Sequence, residues 1–299
     1  MRMTVQENRN YTLKVSIGMP VYNGEKFIRE ALDSVLAQTF TDFELVISDN
    51  CSSDKTKQIC EEYAGKDSRI RYIQQSKNIG AVGNFEYVLN EAKGQFFMWL
   101  ACDDYLENNA YLSEMMSRAL KGFDFCFPNV KLKYENVRSE TVSSGIMDRF
   151  SSCNSTYEYC RQTVFTCSYQ VYGLFRRTFL IENYKYIDRC KQLRCYGEGL
   201  FVHAVISKSL PAYVTDVSLI YRRHGENTSS VQKKSHLVID FFKFNYSLIY
   251  FYLFETTFSL IQKMSIISSF LYLHMKYLMV ILFPKLLDLK QMATKFSPK

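Results

Sequence analysis

The chain has little glycine and proline, with 12 Gly and 5 Pro among its 299 residues, and no internal repeat or low-complexity linker. This composition excludes collagen-like and disordered proteins, and 47% hydrophobic residues are enough to bury a large core. None of the nine Cys residues forms a C-x-x-C pair, and no His lies near a Cys pair at zinc-finger spacing. We therefore expect reduced thiols in a cytoplasmic protein rather than a disulfide framework or a structural zinc site.

Long uncharged apolar segments are also lacking. The first fourteen residues are polar and contain no apolar core of a secretory signal. Residues 237–284 are rich in Phe, Tyr, Leu and Ile, but their longest uncharged stretch, 264–275, has twelve residues. Because a spanning helix needs about 17–25 residues, we expect no transmembrane helix.

The charge is unevenly distributed. Residues 1–120 hold 13 Lys/Arg and 17 Asp/Glu, whereas residues 121–299 hold 24 and 13. The tail, residues 231–299, carries nine Lys/Arg and three Asp/Glu, which predicts basic amphipathic helices. These helices either contact an anionic membrane surface through residues 237–284, or fold onto the core or form a dimer seam.

Strand and helix patterns alternate four times in the first hundred residues. This alternation predicts an α/β fold with a mostly parallel sheet and flanking helices, in which ligands bind at the carboxyl ends of the strands. The predicted strands are 15–19, 43–48, 70–73 and 96–100, and the predicted helices are 25–38, 54–63 and 81–92. Further along, strands are predicted at 123–127, 130–134, 211–215 and 217–222, and helices at 156–163 and 200–207.

Residues 20–56, PVYNGEKFIREALDSVLAQTFTDFELVISDNCSSDKT, closely resemble the signature of glycosyltransferase family 2. The resemblance implies a GT-A (Rossmann-like) fold and inverting transfer of a sugar from a nucleotide-diphosphate donor. It also implies a domain over residues 1–230, divided into a nucleotide-sugar-binding half, 1–115, and an acceptor half, 116–230. Residues 231–299 would follow as a C-terminal helical extension.

The nucleoside is expected at the ends of the first two strands. Tyr22 offers an aromatic wall on which a base can stack, a contact worth about 1–3 kcal/mol. Asp49 ends the second strand and can accept hydrogen bonds from the base or ribose. The resemblance assigns nucleotide-sugar binding to these residues and to Pro20, and Asn23 and Asn78 lie in loops at the same sheet edge. Residues 52–54 are interpreted as a cap on the following helix.

Two carboxylates follow the fourth strand, at Asp103 and Asp104. Adjacent carboxylates at a strand end favour a hard cation, and a diphosphate leaving group needs Mg²⁺ or Mn²⁺ to neutralise its charge. The family has an Asp-x-Asp motif here, and its last Asp corresponds to Asp103. Its first corresponds to Ala101, which is a departure. We assign Asp103 to the metal and Asp104 to the nucleotide-sugar site.

The acceptor half contributes two further candidates. Glu198, just before an apolar helical stripe, corresponds to the carboxylate that the family uses as general base, although the family usually has Asp there. The run YRRHGENTS, residues 221–229, resembles a family motif whose His contacts the diphosphate or the metal. We assign that role to His224, with Arg222 or Arg223 as a phosphate fork.

These features predict an inverting glycosyltransferase that acts on a glycan or lipid-linked glycan acceptor in surface polysaccharide or glycolipid assembly. The alternative is a catalytically inactive GT-A-like binding or scaffold module, which the missing carboxylate at Ala101 favours. A dinucleotide-dependent oxidoreductase is excluded because no G-x-G-x-x-G follows the first strand. Nucleic acid has no supporting motif and is not an expected partner.

Overall fold

The computed structural model describes residues 13–135, 142–143, 150, 153–163, 169–186, 197–224 and 246–282, with backbone only at 142–143, 163, 197–199 and 273–282. These residues belong to two compact units, which we describe separately. The first draws on the segments 1–153, 169–185 and 208–225, and the second on 154–168, 186–207 and 226–299.

The first unit is built on a sheet of nine strands, counted over the described residues. The strands are β1 (Val15–Val21), β2 (Phe43–Asp49), β3 (Ile70–Gln74), β4 (Phe96–Trp99), β5 (Tyr105–Leu106), β6 (Phe125–Tyr134), β7 (Val142–Ser143), β8 (Leu174–Arg176) and β9 (Ala212–Arg223). Their order is β3-β2-β1-β4-β8-β6-β9-β5, and β7 pairs with β6.

The longer strand pairs of this sheet are parallel. β1 runs parallel to β2 and β4, β2 to β3, and β6 to β9, whereas the short strands β5, β7 and β8 pair antiparallel with their neighbours. All seven residues of β1 are buried, as expected for a central strand covered on both faces. The predicted mostly parallel α/β sheet is therefore confirmed.

Helices pack on this sheet through one apolar stripe each. In the first of them, Ile28, Ala31, Leu32 and Val35 are buried at the i, i+3, i+4, i+7 spacing of an amphipathic helix. In the part of the chain that the structure describes, the helices are α1 (Ile28–Leu36), α2 (Thr56–Ala64), α3 (Gly80–Glu91), α4 (Tyr111–Ala119), α5 (Thr156–Thr163), α6 (Arg177–Asn183), α7 (Gly197–Lys208) and α8 (Leu260–Leu282), with helical residues also at 246–254.

The elements predicted for the first hundred residues are confirmed, with bounds that differ by a few residues. Beyond residue 100, the four predicted strands correspond to only two long strands. The strands predicted at 123–127 and 130–134 are both part of β6, and those predicted at 211–215 and 217–222 are both part of β9. The prediction of 211–215 and 217–222 as a separate pair of strands is therefore wrong. The β6–β9 register shifts between Pro128 and Asn129, where Thr215, Asp216 and Val217 form a bulge in β9. This bulge interrupts the alternation of the sequence, which is why the pattern indicated separate strands. The sequence did not predict β5, β7, β8, α4 or α6.

The second unit is helical where it is described. It contains α5, most of α7, residues 246–254 and α8. Tyr157 of α5 donates a hydrogen bond of 3.1 Å to Ser265 of α8, and the buried His203 of α7 contacts the hydroxyl of Tyr252 at 2.5 Å. The expected helical extension is thus present over 246–254 and 260–282. Among the described residues, no helix is long and apolar enough to cross a membrane.

Candidate active site

The loops that follow β1 and β2 are joined by a set of short hydrogen bonds. The backbone N–H groups of Asn23, Gly24 and Glu25 donate to side chains of the second loop over 2.8–3.0 Å. In return, the N–H groups of Ser53 and Lys55 donate to the side chains of Asn23 and Glu25, both over 2.9 Å. The two loops at the carboxyl ends of these neighbouring parallel strands therefore form one connected surface.

Two residues of this surface have a left-handed backbone. Asn23 has φ +50° and Cys51 has φ +64°, a conformation that costs free energy for most L-residues and recurs at functional sites. Tyr22, directly before Asn23, is 53% exposed, whereas Pro20 is buried inside β1. The side chain of Tyr22 is thus available for stacking, while Pro20 can act only as a support.

Asp49, the last residue of β2, has a fully buried carboxylate. Its Oδ1 accepts the N–H of Ser52 over 2.9 Å, and its Oδ2 accepts the hydroxyl of Tyr72 over 2.8 Å. Burial and the bond to Asp49 raise the pKa of Tyr72 above its ordinary value, so the phenol stays protonated and donating. Asp49 is therefore held in one orientation at the sheet edge.

Asparagines that the sequence analysis missed fasten the third loop of this edge. The Nδ2 of Asn50 donates to the Oδ1 of Asn78 over 3.0 Å, and the Oδ1 of Asn50 accepts the N–H of Ile79 over 2.7 Å. Asn84 of α3 donates to the carbonyl of Ser48 over 2.9 Å. Asn78 thus lies against the β2 loop as predicted from its position, and Asn50 and Asn84 hold the arrangement.

Asp103 pairs with His224, although they are 121 residues apart in sequence. The Nε2 of His224 lies 2.9 Å from the Oδ2 of Asp103. Only 8% of the His224 side chain is exposed, and its ring packs 4.7 Å from the ring of Phe27. The sequence assigned both residues to the diphosphate and the metal, and the fold brings them together.

Asp104 faces the protein interior and is only 1% exposed. Its Oδ1 accepts the backbone N–H of Arg222 over 2.9 Å, and its Oδ2 has no hydrogen-bond partner in the part of the chain that the structure describes. Burial, together with the nearby charge of Asp103, raises the pKa of Asp104 well above its ordinary value. In this structure the Asp104 carboxyl binds the backbone of β9, and its assignment to the nucleotide-sugar site stays a prediction.

Arg222 also points inward, with 6% of its surface exposed. Its Nε donates to the carbonyl of Asp103 over 2.9 Å, and its Nη2 is paired with Glu30 of α1. Burial raises the pKa of Glu30, but hydrogen bonds from Arg222 and Lys133 outweigh it and bring that pKa below its ordinary value. Nothing in the sequence pattern had singled out Glu30, because its partner lies 192 residues further along the chain.

The donor set fits a divalent cation that shares its coordination with phosphate. A carboxylate and an imidazole are both common metal ligands, and Mg²⁺ is usually held by one or two carboxylates together with substrate phosphates. No group of three His, Cys, Asp or Glu side chains able to hold a metal exists among the described residues. The protein would therefore supply Asp103 and His224, and the diphosphate would have to supply the rest.

Glu198 is the second residue of α7, as expected for a carboxylate at the start of a helix. Its side chain lies outside the described residues, so its role as general base stays a prediction. The cysteines in the described ranges are free thiols, at Cys51, Cys60, Cys102, Cys126, Cys153 and Cys160.

The fold resembles those of solved sugar transferases. A structure of Staphylococcus aureus TarS, residues 1–349, with UDP-GlcNAc superposes with a TM-score of 0.69, at 24% identity over 87% of this chain and 72% of that one. A mannosyltransferase from Pyrobaculum calidifontis, in complex with GDP-Man and Mn²⁺, gives 0.53 at 13% identity, over 87% and 74%. This likeness shows that the chain has the GT-A fold.

The family follows from the sequence. Residues 16–183, more than half of the chain, match the profile described as Glycosyl transferase family 2. This chain belongs to that family and is a glycosyltransferase. The family membership implied by residues 20–56 is thereby confirmed.

Two relatives illustrate the range of the family. The first is the GalNAc(5)-diNAcBac-PP-undecaprenol beta-1,3-glucosyltransferase of Campylobacter jejuni, 26% identical over 75% of this chain and 70% of the relative. The second is the poly(ribitol-phosphate) beta-N-acetylglucosaminyltransferase TarS of Staphylococcus aureus, 28% identical over 73% of this chain but only 37% of the relative.

Proposed function

We propose that this glycosyltransferase moves a sugar, with inversion, from a nucleotide-diphosphate donor to a hydroxyl group of a glycan or lipid-linked glycan. The observation that carries the proposal is the Asp103–His224 pair, brought together in the unit that also carries the connected loops after β1 and β2. We divide the chain as the sequence indicated, into a transferase domain, 1–230, with a donor half and an acceptor half, and a tail, 231–299.

The nucleoside binds at the ends of β1 and β2 in this proposal. The base stacks on the exposed ring of Tyr22, and the fixed carboxylate of Asp49 accepts hydrogen bonds from the base or ribose. Asn23 and Asn78 border the same surface, and Pro20 supports it from within β1. Because the loops are already hydrogen-bonded to each other, little conformational entropy is lost when the nucleoside binds.

The diphosphate binds beside Asp103 and His224, which would hold Mg²⁺ or Mn²⁺. When bound, such a cation neutralises the charge that develops on the departing diphosphate. Asp104 and Arg222 serve this region from behind, because both side chains are buried and bonded to the protein.

Glu198 accepts the proton of the acceptor hydroxyl as the oxygen attacks the anomeric carbon. A new carbon–oxygen bond forms on one face of the sugar while the bond to the diphosphate oxygen breaks on the other, and one such displacement inverts the anomeric centre. The alternative, an inactive scaffold module, would bind a nucleotide without turning it over.

The acceptor side rests on the relatives and on the tail. One relative is named for an undecaprenol-linked acceptor and another for a poly(ribitol-phosphate) acceptor. All the exposed residues between 246 and 272 are uncharged, and eight are large and apolar: Tyr246, Tyr250, Phe254, Leu260, Ile261, Met264, Leu271 and Tyr272. With the net positive charge of residues 231–299, such a surface suits peripheral contact with an anionic bilayer, on its cytoplasmic side.

The donor site is tested by thermal unfolding of the full chain with UDP, GDP, dTDP and CDP, each with and without Mn²⁺. A ligand at 100 times its dissociation constant adds about 2.7 kcal/mol of stability, so a real donor nucleotide gives a clear shift. One metal-dependent shift, followed by hydrolysis of the matching nucleotide sugar, supports the proposal. No shift with any nucleotide contradicts it.

The membrane contact is tested by flotation with vesicles of phosphatidylglycerol and phosphatidylcholine. We expect the chain to float with anionic vesicles, and a Phe254→Ser/Ile261→Ser variant to float less. Leu120→Ser is the matched control, because Leu120 is 65% exposed in the first unit. A variant that floats as well as the wild type, or one whose only change is a loss of dimers in light scattering, would point to a seam between copies instead.

A further inference from the structure

Arg222 is enclosed on several sides by its own protein. Its guanidinium carbon lies 4.6 Å from the ring centre of Phe27 and 5.6 Å from that of Tyr105. Guanidinium groups stack on aromatic faces and present their N–H donors in the plane of the group. Stacked in this way, the group has its donors directed at partners in a single plane.

Those partners form a chain from a surface helix to the predicted metal ligand. Glu30 of α1 pairs with Nη2 of Arg222, and Nε of Arg222 donates to the backbone carbonyl of Asp103 over 2.9 Å. The backbone N–H of Arg222 donates to Asp104 over 2.9 Å, and Lys133 lies 3.3 Å from the second oxygen of Glu30. The turn that carries Asp103 is therefore fastened to α1 and β9 at once.

We propose that Glu30 and Arg222 are positioning residues that hold the carboxylate of Asp103 opposite His224, and that Arg222 is not a phosphate ligand. This inference rests on the proposed function for the role of Asp103. Arg222 and His224 are two residues apart on the same segment, so one strand end fixes the backbone of Asp103 and also supplies its imidazole partner.

Binding of a phosphate by Arg222 would have a structural cost. The guanidinium would have to leave the carbonyl of Asp103 and the carboxylate of Glu30, so it would give up a hydrogen bond to each. With 6% of Arg222 exposed, the bound phosphate would also have to enter a region that the aromatic rings fill. The geometry therefore favours a fixed internal brace over a mobile phosphate fork.

The test compares Glu30→Gln and Arg222→Lys with Glu62→Gln in the full chain. Glu62 of α2 is the matched control because it pairs over 2.8 Å with Arg29 of α1, the helix that carries Glu30, and not with the turn of Asp103. We expect both brace variants to raise the Mn²⁺ concentration for half-maximal UDP binding by about tenfold, the effect of one lost charge-assisted hydrogen bond. Saturating Mn²⁺ should restore wild-type UDP affinity, and Glu62→Gln should stay within about twofold of the wild type.

A phosphate ligand would behave differently. In that case Arg222→Lys weakens UDP binding even at saturating Mn²⁺, and Glu30→Gln leaves the Mn²⁺ requirement unchanged. Either result overturns the inference. If the wild type shows no metal-dependent binding of UDP, GDP, dTDP or CDP, the proposed function fails, and a second measurement still decides on the brace.

That measurement is hydrogen exchange of the backbone, which needs neither metal nor nucleotide. The N–H of Asp104 donates to the carbonyl of Ala101 over 3.1 Å, inside the turn that the brace holds. Both brace variants should exchange faster over residues 101–106, while β1 and the Glu62→Gln protein stay unchanged. Unchanged exchange over 101–106 means that Glu30 and Arg222 do not hold the turn, and the inference is wrong.

Discussion

The hydroxyl of Tyr72, in β3, donates a 2.8 Å hydrogen bond to Oδ2 of Asp49, at the end of the neighbouring strand β2. The register pairs Ile47 with Tyr72 and Asp49 with Gln74, so Asp49 and Tyr72 are diagonal neighbours on one face of the sheet. The carboxylate that we assign to the nucleoside is thus oriented by a residue that the sequence analysis did not identify.

Replacement of Tyr72 by Phe should weaken nucleotide binding and also lower the stability of the fold, because the buried carboxylate of Asp49 loses a donor. A hydrogen bond to a charged group contributes about 1.5–3 kcal/mol, so we expect a loss of roughly tenfold or more in UDP affinity by calorimetry. The matched control is Tyr63→Phe, because the hydroxyl of Tyr63 also donates to a carboxylate, that of Asp33, over 2.7 Å at the surface. Equal affinities in the two variants would mean that Tyr72 does not orient Asp49 for binding.

Asp103→Asn should abolish the Mn²⁺-dependent part of nucleotide binding and most of the turnover. An amide is a poorer ligand for a hard cation than a carboxylate, and metal stabilisation of a leaving group accounts for several kcal/mol, or about a hundredfold or more in rate. Asp216→Asn, an exposed change on β9, is the control. Full metal dependence in Asp103→Asn would remove Asp103 from the proposed site.

The pH dependence of stability gives a separate test of Asp104. Its pKa in the folded protein is well above the ordinary 3.8, so the unfolded chain releases this proton first as pH rises. The contribution of Asp104 to folding stability is then fully present below about pH 4. It falls by up to about 1.4 kcal/mol per pH unit until the folded-state pKa is reached. Asp104→Asn cannot ionise, and it should therefore become more stable than the wild type as pH rises from 4 to 8.

The comparison for Asp104 is Asp67, whose shift has the opposite sign. A side-chain hydrogen bond from Arg69 lowers the pKa of Asp67, so this group adds stability above its unfolded-state pKa and loses it as pH falls. Asp67→Asn should thus cost stability at neutral pH. Urea unfolding at several pH values measures the stability of both variants and of the wild type. We expect the stability of the wild type relative to Asp104→Asn to be higher at pH 4 than at pH 8. The opposite order would contradict the raised pKa of Asp104.

Glu198→Gln should lower kcat by about 10²–10⁴ without changing donor affinity, because a general base acts only in the chemical step. Glu182→Gln, an exposed glutamate on α6, is the control. Turnover can be followed as release of UDP from the nucleotide sugar in the presence of acceptor. If Glu198→Gln retains full kcat, the general base is another residue.

The sequence predicted those elements of the fold that the spacing of apolar residues marks directly. In β1 and α1 a run of apolar residues and a 3.6-residue stripe mark the elements directly, and the resemblance places Tyr22, Asp49 and Asp103 at strand ends. The two-residue strand β5 carries too few residues for any pattern, and the bulge at residues 215–217 breaks the alternation of β9.

The site was predictable where a single residue carries the chemistry, and not where it depends on partners far along the chain. Asp103 and His224 were each identified from a local motif. Glu30 and Tyr72 have no local signal, because each acts through a residue that only the sheet topology brings near. The inward orientation of Arg222 and Asp104 likewise depends on the β5–β9 pairing, which local patterns do not encode.

The bonds between the β1 and β2 loops also limit how this enzyme can be redesigned. Asn23 and Glu25 each both donate to the second loop and accept from it, so an inserted residue in either loop would displace partners in the other. The two loop lengths are therefore linked. A change of donor nucleotide is best sought by side-chain replacement on these loops at constant length. A graft of one loop alone would break the hydrogen bonds that hold both loops in shape.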